Sequence, residues 1–222
     1  DIGFNKMEQE IEIKLDVPLD IKTNDILERL EQIVKQNGFT ITEPKVVGRN
    51  FQYYDTSNLD IYRRGETLRR IGGFDPNIDK GLFRYDFKIG PIEDRYEANH
   101  WTSAELDENE ILNQFDLMRF YAEIFPSAFA TTQHHKMKLQ RRGTLIEATL
   151  DYFNVVDGAG FRELELELEH GDKSDLIVLR EPIQNQLGLK RISKQKYNRV
   201  IESIPKSLYN QIKFGISMNK SI

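Results

Sequence analysis

Glu163-Leu164-Glu165-Leu166-Glu167-Leu168-Glu169 alternates strictly between acid and leucine. On a strand, successive side chains point to opposite faces, so the glutamates share one face and the leucines the other. Carboxylates two residues apart on that face stand about 6.7 Å from one another, and at an effective dielectric of about 20 each neighbouring pair repels by roughly 2.5 kcal/mol. One strand at a sheet surface would leave that repulsion to water.

Other segments repeat the parity. Glu10, Glu12 and Lys14 share a face in Glu8 to Leu15; Arg84, Asp86 and Lys88 share one opposite Phe83, Tyr85 and Phe87. Lys136, Lys138, Gln140 and Arg142 lie opposite Met137 and Leu139, and Glu147, Thr149 and Asp151 lie opposite Ile146, Ala148 and Leu150. With Asn50 to Asp55, Glu66 to Ile71 and Arg95 to Trp101, about eight mostly antiparallel strands are read. They are punctuated at Gly72-Gly73, Gly90-Pro91, Gly143 and Asp157-Gly158-Ala159-Gly160. If the apolar faces pack against helices, every charged face points the other way. A sheet curled into a barrel gathers those faces into one channel lined by both signs.

Helices are expected from Thr23 or Asn24 to Asn37-Gly38, from Ser103 towards Pro126 with Leu117 and Met118 buried, and over Ser174–Leu187 and Ser193–Ser203. The fold class read is α+β, an eight-stranded antiparallel β-barrel with flanking helices. The barrel domain is placed at residues 7–203, with a helical tail at 204–222. Residues 1–6 are read as appended ahead of a natural start at Met7.

Composition narrows the function classes. The 222 residues are 39% hydrophobic and 30% charged, and there is no cysteine, which removes disulfide scaffolds, thiolate metal sites and cysteine nucleophiles. A net charge of −5 argues against a nucleic-acid binder, and no apolar run approaches a membrane span. No secretory signal is read at the N-terminus, so the cytoplasm is the expected compartment. His134 and His135 are adjacent on a strand and face opposite sides, so they do not form one metal pair. Trp101 and Tyr53-Tyr54 are read as packing, and Gly72-Gly73 as a turn without phosphate-loop spacing. Converging carboxylates suit a hard cation such as Mg²⁺, and converging bases suit a polyanion; together they point to phosphoryl chemistry.

Several segments, in order, resemble the CYTH superfamily, the triphosphate tunnel metalloenzymes. Glu10-Ile11-Glu12-Ile13-Lys14 is similar to its Glu-x-Glu-x-Lys signature, and Tyr53-Tyr54-Asp55-Thr56 to its aromatic-Asp-Thr segment. Thr67-Leu68-Arg69, Phe87-Lys88, Arg95-Tyr96-Glu97, Glu147 to Asp151, Glu163 to Glu167 and Ser193 to Arg199 follow in the family's order. The resemblance implies a β-tunnel that binds a small-molecule triphosphate with Mg²⁺, or Mn²⁺ in its place. By position it implies metal ligation by Glu10, Glu12, Asp151, Glu163 and Glu165. Substrate contacts fall to Lys14, Arg69, Lys88, Arg95, Lys136 and Lys196, and the catalytic set is Glu10, Glu12, Lys14 and Glu165. Ile71 stands where many relatives carry a second arginine, Arg70 should point away, and Lys136 is placed from parity alone.

The implied reaction is metal-dependent hydrolysis, with inorganic triphosphate the leading substrate. Thiamine triphosphatase or class IV adenylate cyclase is the alternative within the family. A non-catalytic polyphosphate or nucleotide binding module is the alternative from another class. No nucleic-acid or membrane partner is expected, and a homodimer is left open.

Overall fold

The computed structural model describes residues 7–72, 82–208 and 210. Residues 1–6, Gly73 of the expected turn and most of the expected C-terminal tail lie outside the described residues. Among the described residues nine strands and five helices follow one another: β1 (Glu8–Asp16), α1 (Thr23–Gln36), β2 (Thr40–Asp55), α2 (Asp60–Arg63), β3 (Thr67–Gly72), β4 (Phe83–Ile89), β5 (Arg95–Thr102), α3 (Glu108–Gln114), β6 (Phe125–Arg141), β7 (Thr144–Val155), β8 (Phe161–His170), α4 (Lys173–Leu187), β9 (Lys190–Arg191) and α5 (Lys196–Ser203). All pairings are antiparallel, in the order β5-β4-β3-β2-β6-β7-β8-β1. Glu8 to Glu10 then pair with Arg95 to Glu97, so β1 meets β5 and the eight strands close into a barrel. The short β9 pairs with β1 as an extra strand.

Register follows from burial. Ile13 and Leu15 of β1, Leu139 of β6, Ile146 and Ala148 of β7, and Leu164 and Leu166 of β8 face outwards. They pack against Ile26, Leu30 and Ile33 of α1 and Leu179 and Ile183 of α4. Each such leucine or isoleucine contributes about 1.5–3 kcal/mol when removed from water, and a one-residue slip would send it into the channel. On the opposite side Leu68, Tyr85 and Phe87 pack with Ile111 and Leu112 of α3.

Turn chemistry fixes the hairpins. Arg142 (φ 47°) and Gly143 (φ 86°) are both left-handed and join β6 to β7 as a two-residue primed turn, so Arg142 leaves the face expected for it. β2 begins at Thr40 rather than Asn50, and β6 at Phe125 rather than Gln133 where its alternation starts. Pro44 and the left-handed Glu43 (φ 52°) interrupt β2 at a bulge, and small residues with Pro126 obscure the start of β6. The second helix starts later than expected: Asp107 accepts from the Glu110 N–H while the Glu110 carboxylate accepts from the Asp107 N–H, a capping box that outcompetes Ser103. It ends at Gln114, with Phe115 as its C-cap ahead of the left-handed Asp116, leaving Met118 exposed rather than buried. Helix α1 begins at Thr23 itself, with Lys22 in the capping position, and α5 begins at Lys196 rather than Ser193. No helix of the described residues is long and apolar enough to cross a membrane.

The β8–α4 corner is built around Gly171. At φ 105° it lies where L side chains are rare, and a Cβ there would sit 2.5 Å from Thr144 Cα. Gly171→Ala is therefore expected to destabilise the protein by more than about 1 kcal/mol, read as a lower urea midpoint at unchanged slope. An unchanged midpoint would show that the corner relaxes freely.

Candidate active site

The inward faces of the barrel enclose a cavity of about 280 Å³ lined by seven cationic and seven carboxylate side chains. The cations are Arg49, Arg69, Arg84, Lys88, Arg95, Lys136 and Lys196; the acids are Glu10, Glu12, Glu97, Glu147, Glu165, Glu167 and Glu169. Glu169 is exposed at one end, whereas Lys196 is buried at the other.

That buried end is closed by aromatic rings and by α5. Phe51, Tyr53 and Phe153 carry the inward parity of β2 and β7. Tyr53 stacks on Tyr197 of α5 at 5.0 Å, and Phe153 stacks on Phe161 at 4.8 Å. Arg69 lies over Phe51 at 4.9 Å and Lys196 over Phe153 at 5.2 Å, so cations rest on the ring faces of this floor. Asp55 holds the floor together: it accepts from the N–H groups of Thr56, Ile61 and Tyr62 and from the Tyr197 hydroxyl. The aromatic-Asp-Thr segment is thus an anchor and lies outside the cavity lining.

Above the floor, most cations bridge two carboxylates. Lys88 Nζ lies 2.9 Å from Glu10 and 3.2 Å from Glu97. Arg95 binds Glu10 at 2.5 Å and also Glu12. Lys14 Nζ lies between Glu12 (3.2 Å) and Glu165 (2.8 Å). Lys196 lies between Glu165 (2.6 Å) and Asp151 (2.5 Å). The result is one continuous series from Glu97 to Asp151, crossing β5, β4, β1, β8, α5 and β7. Two groups flank it: Arg69 (2.8 Å) and Arg84 (2.7 Å) on Asp86, joined to the series where Arg84 also lies 3.9 Å from Glu97, and Lys136 and Lys138 on Glu147.

The charges set one another's protonation. Burial alone would raise the Glu10 and Glu165 carboxyls, but Lys88 and Arg95 hold Glu10, and Lys14 and Lys196 hold Glu165, well below the usual range. Lys196 is kept charged despite its burial by Asp151 and Glu165. Glu167 forms no ion pair among the described residues; burial, reinforced by Glu10, Glu12 and Glu165 and only partly opposed by Lys88, pushes it up to about 7. Burial depresses His134, with Lys196 and Arg49 adding to the effect against Asp151, so the imidazole is neutral. It joins Asp151 through Nδ1 and Thr132 Oγ1 through Nε2 at 2.6 Å.

The structure brings Glu10, Glu12, Glu165, Arg69, Lys88, Arg95, Lys136 and Lys196 to one cavity, with Lys14 buried directly behind its acidic wall. It places Asp151 and Glu163 elsewhere. Both are fully buried beneath the cavity, where Asp151 meets His134 and Lys196, and Glu163 meets Arg199 at 2.8 Å. The reason is the α5 plug, whose cations reach the strand ends before the cavity does. Arg70 points away, paired with Glu105 and stacked on Phe83. Ile71 lies opposite Arg84, so a guanidinium from β4 stands beside the place of the missing β3 arginine. His134 faces in and His135 out, as adjacent strand residues must.

Arg49, Arg84, Glu97 and His134 also line the cavity, as do Phe51, Glu147, Thr149, Glu167 and Glu169, although the sequence had assigned none of them to the site. Parity with Phe51 would have found Arg49 had β2 been started one residue before Asn50, and parity with Lys88 already marked Arg84. Trp101 differs from its expected packing role. It is 46% exposed, lies opposite Arg84 at the end of β5, and has the Arg84 guanidinium 5.8 Å from its ring centre.

A hard cation requires oxygen donors, and Glu10, Glu12 and Glu165 offer them. In this arrangement no three acidic or imidazole side chains of the described residues converge on a common point. Glu12 Oε1 faces the Lys14 ammonium and the Arg95 guanidinium, and Glu165 Oε1 faces the Lys14 ammonium. The donor set therefore fits a divalent cation chemically, provided that the cations now beside it are drawn elsewhere.

No protein-family model and no curated protein sequence matches the chain. Solved structures do. A protein of Bacillus halodurans assigned as an adenylate cyclase superposes with a TM-score of 0.59 at 15% identity, over 87% of this chain and 98% of its own. A proposed adenylyl cyclase of Hippeastrum, described with a dominant triphosphatase activity, gives 0.54 at 14% over 88% and 97%. A Pyrococcus horikoshii protein gives 0.53 at 18% over 87% and 98%. The chain has the CYTH, or triphosphate tunnel, fold.

Glu167 supplies a test of the site's electrostatics. Its folded-state value of about 7 exceeds the ordinary 4.5, so between these values the folded protein holds a proton that the unfolded chain has released. Stability from this group accordingly falls as pH rises from 4.5 to about 7, by at most about 1.4 kcal/mol per pH unit. The depression of Glu10 acts below that window. Relative to wild type, Glu167→Gln is expected to gain on the order of 2 kcal/mol between pH 5 and pH 8 in metal-free denaturation. Parallel curves for the two proteins would remove Glu167 from the buried cluster.

Proposed function

We propose that the tunnel binds a triphosphate terminal phosphate first and hydrolyses it with a divalent cation, Mg²⁺ or Mn²⁺, inorganic triphosphate being the leading substrate. The observation that carries this reading is the series of shared ion pairs facing one closed-ended cavity. A polyanion alone needs only the cations, and a metal alone only the acids; balanced walls of both suit a metal–polyphosphate pair.

Binding is then an exchange of partners. Lys88, Arg95, Arg69, Lys136 and Lys196 turn from carboxylates to phosphate oxygens, and Lys14 stands behind them at the acidic wall. The released carboxylates of Glu10, Glu12 and Glu165 hold the cation, while Asp151 and Glu163 stay below to anchor Lys196 and Arg199. When bound, such a cation supplies Lewis-acid polarisation and a water of lowered pKa. The chain's own cations take up charge as the bond between the terminal phosphorus and its bridging oxygen breaks. The aromatic floor limits solvent at the buried end, where these charges act most strongly.

Trp101 favours a second reading of the substrate. An exposed indole backed by a guanidinium at the open end suits the aromatic part of an organic triphosphate, such as thiamine triphosphate or ATP. Trp101→Ala would then raise KM for the organic substrates and leave inorganic triphosphate unaffected.

Phosphate release from inorganic triphosphate, ATP and thiamine triphosphate, with Mg²⁺ and with chelator, tests the main reading; silence on all of them would turn it towards a cyclase or a binding module. Glu165→Gln is expected to abolish turnover while the protein stays folded, because Lys14 keeps Glu12 and Lys196 keeps Asp151. Lys88→Ala should lower kcat by about 10²–10³-fold. Wild-type rates in both variants would exclude these residues. The exchange also requires metal and triphosphate to strengthen each other's binding reciprocally, by about 5–150-fold. Calorimetry on Glu165→Gln with a non-hydrolysable triphosphate, with and without Mg²⁺, measures that coupling, and independent binding would contradict the exchange.

A further inference from the structure

Arg162 has the opposite parity to the β8 glutamates and therefore projects from the outside of the barrel. It is only 6% exposed, and its Nη1 donates to the Ile21 backbone oxygen at 2.7 Å. Its Nε and Nη2 are buried and have no acceptor among the described residues. These two N–H groups form the side edge of the guanidinium, the fork that matches two coplanar oxygens of a carboxylate or phosphate. A buried, charged donor pair left without an acceptor is costly, which marks the edge as a place for a ligand.

Arg162 lines a cavity of about 240 Å³ that is separate from the tunnel. Gln133, Tyr152 and Arg162 are consecutive partners across β6, β7 and β8 and form a row along it, with His135 beside them. Thr23, the first residue of the 14-residue helix α1, also borders the cavity, and Lys22 in the capping position makes no side-chain capping bond. Its first-turn N–H groups thus keep the positive end of the helix dipole uncapped by any side chain. Asp151 borders the cavity too, but its carboxylate is engaged inside the barrel by His134 and Lys196. Asp20 attracts Arg162 only at longer range and forms no ion pair with it among the described residues.

We propose that this cavity is a second anion site, outside the tunnel, that takes a small oxyanion on the Nε–Nη2 edge of Arg162. The shared chemistry is a pair of coplanar anionic oxygens, carried by a phosphate or a carboxylate. The inference stands on the outer face and does not depend on the tunnel's reaction.

A tunnel full of cations also binds phosphate, so the test must read Arg162 itself. In ¹⁵N-labelled full-length protein, the Arg162 Nε–H resonance is followed while inorganic phosphate, and in a separate series acetate, is titrated. A saturable shift of this resonance is expected, and the series that saturates at lower concentration names the preferred oxyanion. Arg162→Lys keeps the charge but loses the fork, and should weaken the outer-site binding of that anion by about tenfold or more. A resonance that stays fixed in both series while tunnel residues titrate would overturn the proposal. If the lysine variant fails to fold, the wild-type titration still decides, because its readout needs no substitution.

Discussion

A carboxylate or ammonium inside a barrel must find an opposite charge, since desolvation of an isolated ion costs several kcal/mol. Here that constraint is met by sharing: Lys88, Arg95, Lys14 and Lys196 each bridge two carboxylates. The series crosses six elements, so no one of them can change register without leaving a charge unpaired. Such a network is a weak source of stability, because its Coulomb gain roughly offsets its desolvation cost. It is better understood as a positioning device whose energy becomes available when a ligand replaces one set of partners.

Stability comes instead from the two apolar layers. Leucines and isoleucines on the outer faces of β1, β6, β7 and β8 pack on α1 and α4, and α3 covers the opposite side. The aromatic floor belongs to the same economy. Phe51, Tyr53, Phe153 and Phe161 occupy inward positions near the closed end, where stacking fills space that charged residues would leave wet. That floor makes the tunnel one-ended, so a linear polyanion could enter with its terminus leading and leave its other end at Trp101 and Glu169. The proposed chemistry and its specificity thus occupy different depths of one cavity.

Residues that look like site residues in the chain separate once depth is considered. Glu163 and Glu165 share a face and a motif, yet one contacts Arg199 beneath the cavity and the other meets Lys14 and Lys196 at its wall. Asp151 likewise becomes the partner of a neutral histidine. The outer Arg162, the residue immediately before the acids that drew attention first, lies on the face where no functional residue was sought.

Local sequence determined the strand faces, because side-chain alternation is a property of the extended backbone and needs no partner. Glu10, Glu12, Lys14, Lys88 and Glu165 were legible as an inward set for that reason, Arg95 through its place in the family-like order of segments, and the Gly90 and Gly143 turns through glycine's conformational freedom. Strand ends were not: the bulge at Glu43-Pro44 and the small residues around Pro126 hid the early parts of β2 and β6, and Arg49 lay one residue outside the stretch read as β2. Tertiary structure alone decided which inward residues reach the cavity, which lie under α5, and which cation serves which acid. Those outcomes depend on barrel closure between β1 and β5 and on the docking of a helix from the far end of the chain. Neither leaves a local pattern, because the distances they set are between residues far apart in sequence.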